Sequence, residues 1–114
     1  AVAELAAERE GSVGVVVPDA LVAKVDAALT GAGVAHARTG DSDDSTTRVD
    51  IVPASLAKGL EFDHVVLAEP AGIVDGEADE TTGLRRLYVC LTRAVTSLVI
   101  VHARDIPSQL AGQA

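Results

Sequence analysis

Apolar positions along this chain fall in short blocks separated by polar, Gly- and Pro-containing breaks, and the blocks differ in period. Val13-Gly14-Val15-Val16-Val17 is an unbroken aliphatic run, the pattern of a strand buried on both faces. Leu21, Val22, Val25, Ala28 and Leu29 then recur at helical spacing, with Asp19 placed as an N-cap and Gly31-Ala32-Gly33 as the stop. Val34 to Arg38 predicts a short strand, Arg48 to Pro53 (RVDIVP) another, and Val65 to Ala68 a fourth. Leu84 to Val95 predicts a helix on which Leu84, Leu87, Tyr88, Leu91 and Val95 share a face at ~100° per residue, and Ser97 to Ala103 the last strand. Residues 1–10 (AVAELAAERE) read as an opening helix and Ile106 to Ala111 as a short closing one. No internal repeat is present. The order α-β-α-β-β-β-α-β-α favours a three-layer α/β fold with helices on both faces of a mainly parallel sheet.

Composition narrows this to one domain with an unusual core. The chain has 114 residues, 48% of them apolar, but only one Tyr, one Phe and no Trp. The core must therefore be Val, Leu, Ile and Ala. Net charge is −8, and the acids are concentrated. Asp41, Asp43 and Asp44 lie in the polar stretch Thr39 to Thr47, and Asp75, Glu77, Asp79 and Glu80 in a long acidic loop expected from Pro70 to Gly83. Outside those two stretches acids and bases nearly balance. The basic footprint of an autonomous nucleic-acid binder is absent, though one domain of a larger DNA-binding machine can look like this. Cys90 is the only cysteine and sits in an apolar helical pattern, which favours a buried structural thiol over a catalytic one. The first residues carry acids and no basic n-region, and no apolar run approaches the ~20 residues of a membrane span. A reduced, cytoplasmic protein without membrane contact is the expectation.

Two clusters could carry chemistry. Ala57-Lys58-Gly59-Leu60-Glu61-Phe62 follows a strand, and open α/β sheets bind ligands beyond the carboxyl ends of their strands. Gly59 would allow close backbone approach, and Glu61 could accept from a sugar hydroxyl. The same residues also suit an ordinary connection with a solvated Lys and Glu. In the helix from Leu84, Arg86 and Arg93 lie two turns apart on nearly the opposite side from the apolar face. Such a pair suits a polyphosphate or a facing acidic domain, or simply a solvated basic face. Glu69, ending an aliphatic strand, fits a capping or loop-facing role better than a metal site. His36, His64 and His102 lack metal-ligand spacing. The GxxxxGK[ST] loop is absent, as are GxSxG, HExxH and CxxC.

Taken together, AKGLEFDHVVLAEP and RRLYVCLTRAVTSLVIVH resemble the fifth and sixth motifs of UvrD/Rep-type superfamily-one helicases, in order and across about residues 49–103. The preceding strand–helix–strand is compatible with the start of the same domain. The resemblance implies that residues 1–114 are the second, C-terminal RecA-like domain of a P-loop NTPase-type motor. Its ATP site lies in the cleft shared with a first, N-terminal RecA-like domain, which carries the phosphate loop and the Mg2+-binding acids. It also implies that Gly59 and Glu61 lie near the nucleotide sugar and that Arg93 reaches the γ-phosphate as the catalytic arginine. Lys58 and Arg86 support them, and this chain supplies no metal ligand.

Relatives usually carry Thr-x-His before the Ala-Lys-Gly, beside the nucleic-acid path. Here those positions hold Pro53 and Ser55, and only the Thr39–Thr47 stretch could mark the large subdomain that many relatives insert. LEFDHVV, GLRRLYV and VHARDIPSQL are similar to the HelD branch, ATPases that act on RNA polymerase. The expected parent is thus a DNA helicase or translocase, or a polymerase-remodelling ATPase, working through DNA or RNA polymerase. The isolated chain should be inactive and hold neither ATP nor Mg2+ tightly. The competing reading is a protein-interaction module with a degenerate nucleotide face.

Overall fold

The computed structural model describes residues 11–38 and 49–101. The helices expected over 1–10 and 106–111, the polar stretch 39–47 and His102 lie outside the described residues. The strands are β1 (Val13–Val17), β2 (Ala37–Arg38), β3 (Val49–Pro53), β4 (Phe62–Ala68) and β5 (Ala94–Val101). The helices are α1 (Val22–Gly31), α2 (Pro70–Asp75) and α3 (Glu80–Leu91). The strands form one sheet in the order β2-β3-β1-β4-β5, and every neighbouring pair is parallel.

The aliphatic run of β1 takes the central place, buried at every position. Its two faces feed two cores. Val13, Val15 and Val17 pack with Val49, Ile51 and Val66 under Val22, Val25 and Leu29, so α1 covers this face. Val16 packs on the other side with Val52, Val65 and Leu67 under Ile73, Leu87 and Cys90, so α2 and α3 cover that one. This is the expected three-layer α/β arrangement. A parallel crossover usually needs a dozen or more residues and a helix. The chain instead passes from β3 across β1 to β4 in residues 54–61, through a 3-10 turn at Ala54–Leu56. Ala54 and Ala57 are buried in the second core, and such small side chains let the segment run close over the sheet. Gly59 then turns the chain at φ +85°, in the left-handed region that favours glycine.

Several elements depart from expectation. Asp19 does not cap α1, because a 3-10 turn at Asp19–Leu21 intervenes; its carboxylate accepts the Ser55 N–H at 3.1 Å instead. The acidic stretch 70–83 is mostly helical: Pro70 opens α2, and Asp79 caps α3 by accepting the Thr82 N–H at 2.8 Å. That bond favours the charged carboxylate and lowers the Asp79 pKa. With α3 starting earlier, its buried face is Gly83, Leu87 and Cys90, while Tyr88 is 68% exposed. The helix stops at Leu91, not Val95, and β5 starts at Ala94.

His36 holds the sheet edge to α1. Its Nδ1 lies 2.7 Å from the Val34 carbonyl oxygen and its Nε2 2.5 Å from Asp26 Oδ1. Both neighbours are acceptors, an arrangement that favours the doubly protonated ring. Arg38 Nε donates to the other Asp26 oxygen at 2.6 Å. The bond to Asp26, followed by that to Val34, raises the His36 pKa above its ordinary 6.5, and the His36 and Arg38 bonds lower that of Asp26. A raised folded-state pKa contributes stability that is complete below the unfolded value and disappears as pH rises through the folded one. The melting temperature of the chain is therefore expected to fall as pH rises above about 6.5. His36→Gln should flatten that limb in melts recorded between pH 6 and 9.

Packing over β1 leaves no space at Gly14. A Cβ built there would lie 2.5 Å from Cδ2 of Phe62, the one phenylalanine, whose ring covers this position. Gly14→Ala should destabilise the chain by about 1–3 kcal/mol through overpacking. Gly14→Ala with Phe62→Leu should recover part of the loss, as read from urea midpoints.

Candidate functional site

The candidate residues occupy two opposite edges of the sheet, because residues 54–61 run from the carboxyl end of β3 to the amino end of β4. Gly59 and Glu61 are exposed at the amino edge, not beyond a carboxyl end as expected. Arg93 meets them there, in the turn between α3 and β5. Its Nε donates to the Val89 carbonyl at 2.9 Å, Nη1 to the Leu60 carbonyl at 3.2 Å and Nη2 to Thr92 Oγ1 at 3.0 Å. The Arg93 carbonyl accepts the Phe62 N–H at 3.0 Å. Glu61 is therefore flanked by two backbone groups that both bond to Arg93. A guanidinium has five N–H donors, so these bonds among the described residues leave two of them for a ligand.

Arg86 does not align with Arg93 on a helix face. The helix ends before Arg93, and Arg86 turns toward the carboxyl edge. Its Nε pairs with Glu77 Oε1 at 2.7 Å and its Nη1 donates to the Ser55 carbonyl at 3.1 Å. It borders a crevice of about 270 Å³ lined also by Pro18, Asp19, Ser55, Ile73 and Glu77. The crevice lies where the chain leaves β1 toward one face and β3 and β4 toward the other, the switch point at which open α/β sheets bind ligands. Its charged lining is two carboxylates against one guanidinium, a poor match to phosphate. Lys58 lies elsewhere, in a shallow hollow of about 230 Å³ with Thr82, Arg85, Arg86 and Val89. Arg85 and Thr92 were not singled out from sequence. Spacing along a helix could have flagged Arg85 beside Lys58 only if the crossover's path had been known.

The remaining candidates have structural partners. His64 is buried, with Nδ1 2.6 Å from Ser97 Oγ on β5. Glu69 sits before α2 with left-handed backbone, φ 51°, its N–H bonded to the Val101 carbonyl at 2.8 Å. Cys90 is buried, and desolvation pushes its thiol pKa up to about 11, so it is inert as a nucleophile near neutral pH. Among the described residues no three His, Cys, Asp or Glu side chains gather as a metal site would require, and no helix is long and apolar enough to cross a membrane.

Residues 50–101 match the family model of the UvrD-like helicase C-terminal domain. That stretch holds Lys58, Gly59, Glu61, Arg86 and Arg93. The structure is similar to that of the C-terminal domain of a possible DNA helicase from Lactobacillus plantarum WCFS1, with a TM-score of 0.77 and 25% identity. The likeness covers 96% of this chain and 66% of that one. The C-terminal part of the Fun30 ATPase domain gives a TM-score of 0.49 at 10% identity, over 89% of this chain and 38% of that one. No curated protein matches the chain. The parallel α/β sheet matches the fold of that possible DNA helicase's C-terminal domain.

Arg93 ties α3 to the crossover, so its truncation should not spare the fold. Arg93→Ala is expected to lower the stability of the 114-residue chain by about 1.5–3 kcal/mol, the range for a hydrogen bond made by a charged group. Arg93→Lys should lose much the same, since an ammonium cannot reach three divergent acceptors. Urea unfolding of the three proteins checks this.

Proposed function

We propose that this chain is the second motor domain of a UvrD-like, helicase-type ATPase, completing an ATP site whose phosphate loop and Mg2+ ligands stand on a preceding domain. The observation that carries the reading is the joining of Glu61 and Arg93 at one sheet edge by the Leu60 and Phe62 backbone. A group suited to a ribose hydroxyl and a guanidinium with N–H groups to spare are thereby held on the same surface. Bound there, ATP would meet Gly59 and Glu61 at its sugar and Arg93 at its terminal phosphate, with Lys58 in support, while Arg86, expected from sequence to support it too, is bonded to Glu77 and the Ser55 carbonyl at the other edge. The chain's contribution to phosphoryl transfer is electrostatic. Arg93 neutralises charge that develops on the transferred group, and an arginine in that role is worth ~10³–10⁵ in rate.

A second reading of the parent, a HelD-like ATPase acting on RNA polymerase, draws support from the crevice. Asp19 and Glu77 stand where the resemblance leads one to expect a nucleic-acid path, with Pro53 and Ser55 in place of Thr-x-His. Both readings need the same ATP site and differ in what stimulates it.

The test is ATP turnover by the full-length parent with and without single-stranded DNA. Arg93→Ala should cut turnover by at least ~10³. Near-normal turnover would reduce Arg93 to a structural latch. Strong DNA stimulation supports the translocase; none, with RNA polymerase recovered alongside the protein, supports the remodelling ATPase.

A further inference from the structure

We propose that Thr92 is a positioning residue for Arg93, fixing the plane of its guanidinium at the candidate nucleotide edge; this rests on the reading of Arg93 as the phosphate-facing arginine. Arginine side chains are long, and holding one in a single geometry costs rotamer entropy. Here the holding is done in advance. Thr92 Oγ1 donates to the Val89 carbonyl at 2.9 Å and accepts from Arg93 Nη2 at 3.0 Å. A hydroxyl has one donor and two acceptor sites, so both bonds form together. The same Val89 carbonyl accepts from Arg93 Nε at 2.9 Å. Val89, Thr92 and the guanidinium thus close a hydrogen-bonded ring, and the Leu60 carbonyl takes a third nitrogen from outside it.

Each part has a physical reason to be there. Val89 lies in the last turn of α3, where its carbonyl takes from the backbone only a 3.2 Å bond shared by the Thr92 N–H and the negative end of the helix dipole attracts a guanidinium. Threonine branches at Cβ, which limits χ1, and the bond to the Val89 carbonyl selects the rotamer that aims its hydroxyl there. With the ring closed, the guanidinium presents its remaining N–H groups in a set direction before any ligand arrives. Donors aimed in advance at developing charge need no reorganisation during reaction. Thr92 is itself exposed and belongs to neither apolar core, so core packing does not explain the bonds it makes.

The experiment compares Thr92→Val, which keeps the shape and removes the hydroxyl, with Thr92→Ser, which keeps the hydroxyl. Both are made in the full-length parent and again in an Arg93→Lys background. Thr92→Val should lower kcat roughly 10- to 100-fold, the scale of a misplaced catalytic group, with KM for ATP little changed. Thr92→Ser should stay within about threefold of the parent. In the Arg93→Lys background, Thr92→Val should have no further effect on kcat, because no guanidinium remains to be oriented. A purely structural threonine predicts the opposite: a lower urea midpoint with kcat preserved, or the same kcat loss in both backgrounds. Either result overturns the proposal. If Arg93→Ala and Arg93→Lys retain normal turnover, the phosphate-facing reading itself falls and the proposal with it. If they abolish turnover while Thr92→Val leaves kcat intact, only the positioning role is lost.

Discussion

The short crossover from β3 to β4 is the constraint on which the rest of the structure depends. Two parallel strands flank β1, and the chain must travel between them over one face of β1 in residues 54–61. No helix fits that length, so the connection itself becomes part of the layer. Buried alanines at 54 and 57 let it lie close, and a left-handed glycine at 59 lets it turn down to the start of β4. One segment thereby reaches both edges of the sheet. Two arginines hold it: Arg86 bonds to the Ser55 carbonyl near the carboxyl edge, and Arg93 to the Leu60 carbonyl at the amino edge. Both come from the stretch of chain around α3, so helix and crossover are locked as a unit.

The aliphatic core follows from the same geometry. A central strand buried on both faces needs apolar side chains at every position, and β-branched valine suits it. Phe62 departs from strict alternation along β4. It joins Val65 and Leu67 in the core beneath α2 and α3, and its ring occupies the space that Gly14 leaves on β1. The irregular register between β4 and β5 falls in the same place, between Phe62 and His64. Tyr88, the other aromatic, remains outside because α3 turns Gly83, Leu87 and Cys90 inward.

Charge separates the two edges chemically. At the amino edge, Arg93 stands beside an exposed Glu61, with two guanidinium N–H groups unused among the described residues. At the carboxyl edge, Asp19 and Glu77 border the crevice and Glu77 occupies Arg86. A phosphate-bearing ligand finds unshared donors at the first edge and competing carboxylates at the second.

Local pattern alone determined much of this protein. The valine run of β1, the helical spacing after Asp19 and the alternation of strand and helix were sufficient for a three-layer parallel α/β fold, because buried parallel strands and covering helices leave unmistakable periods in sequence. The motif residues Gly59, Glu61 and Arg93 were legible as chemistry-bearing types. Signals for α2 and the start of α3 were also present, in Pro70 and Asp79, but the density of acids around them reads as loop until a cap is recognised. Only tertiary structure decided where the candidate residues meet. Helical spacing placed Arg86 and Arg93 together, whereas the end of α3 at Leu91 and the path of the crossover send them to opposite edges. Likewise, nothing local tells that the Leu60 carbonyl meets Arg93 or that Asp19 bonds Ser55. Those contacts join residues more than thirty positions apart, and they exist because the sheet order puts β3 and β4 on either side of β1.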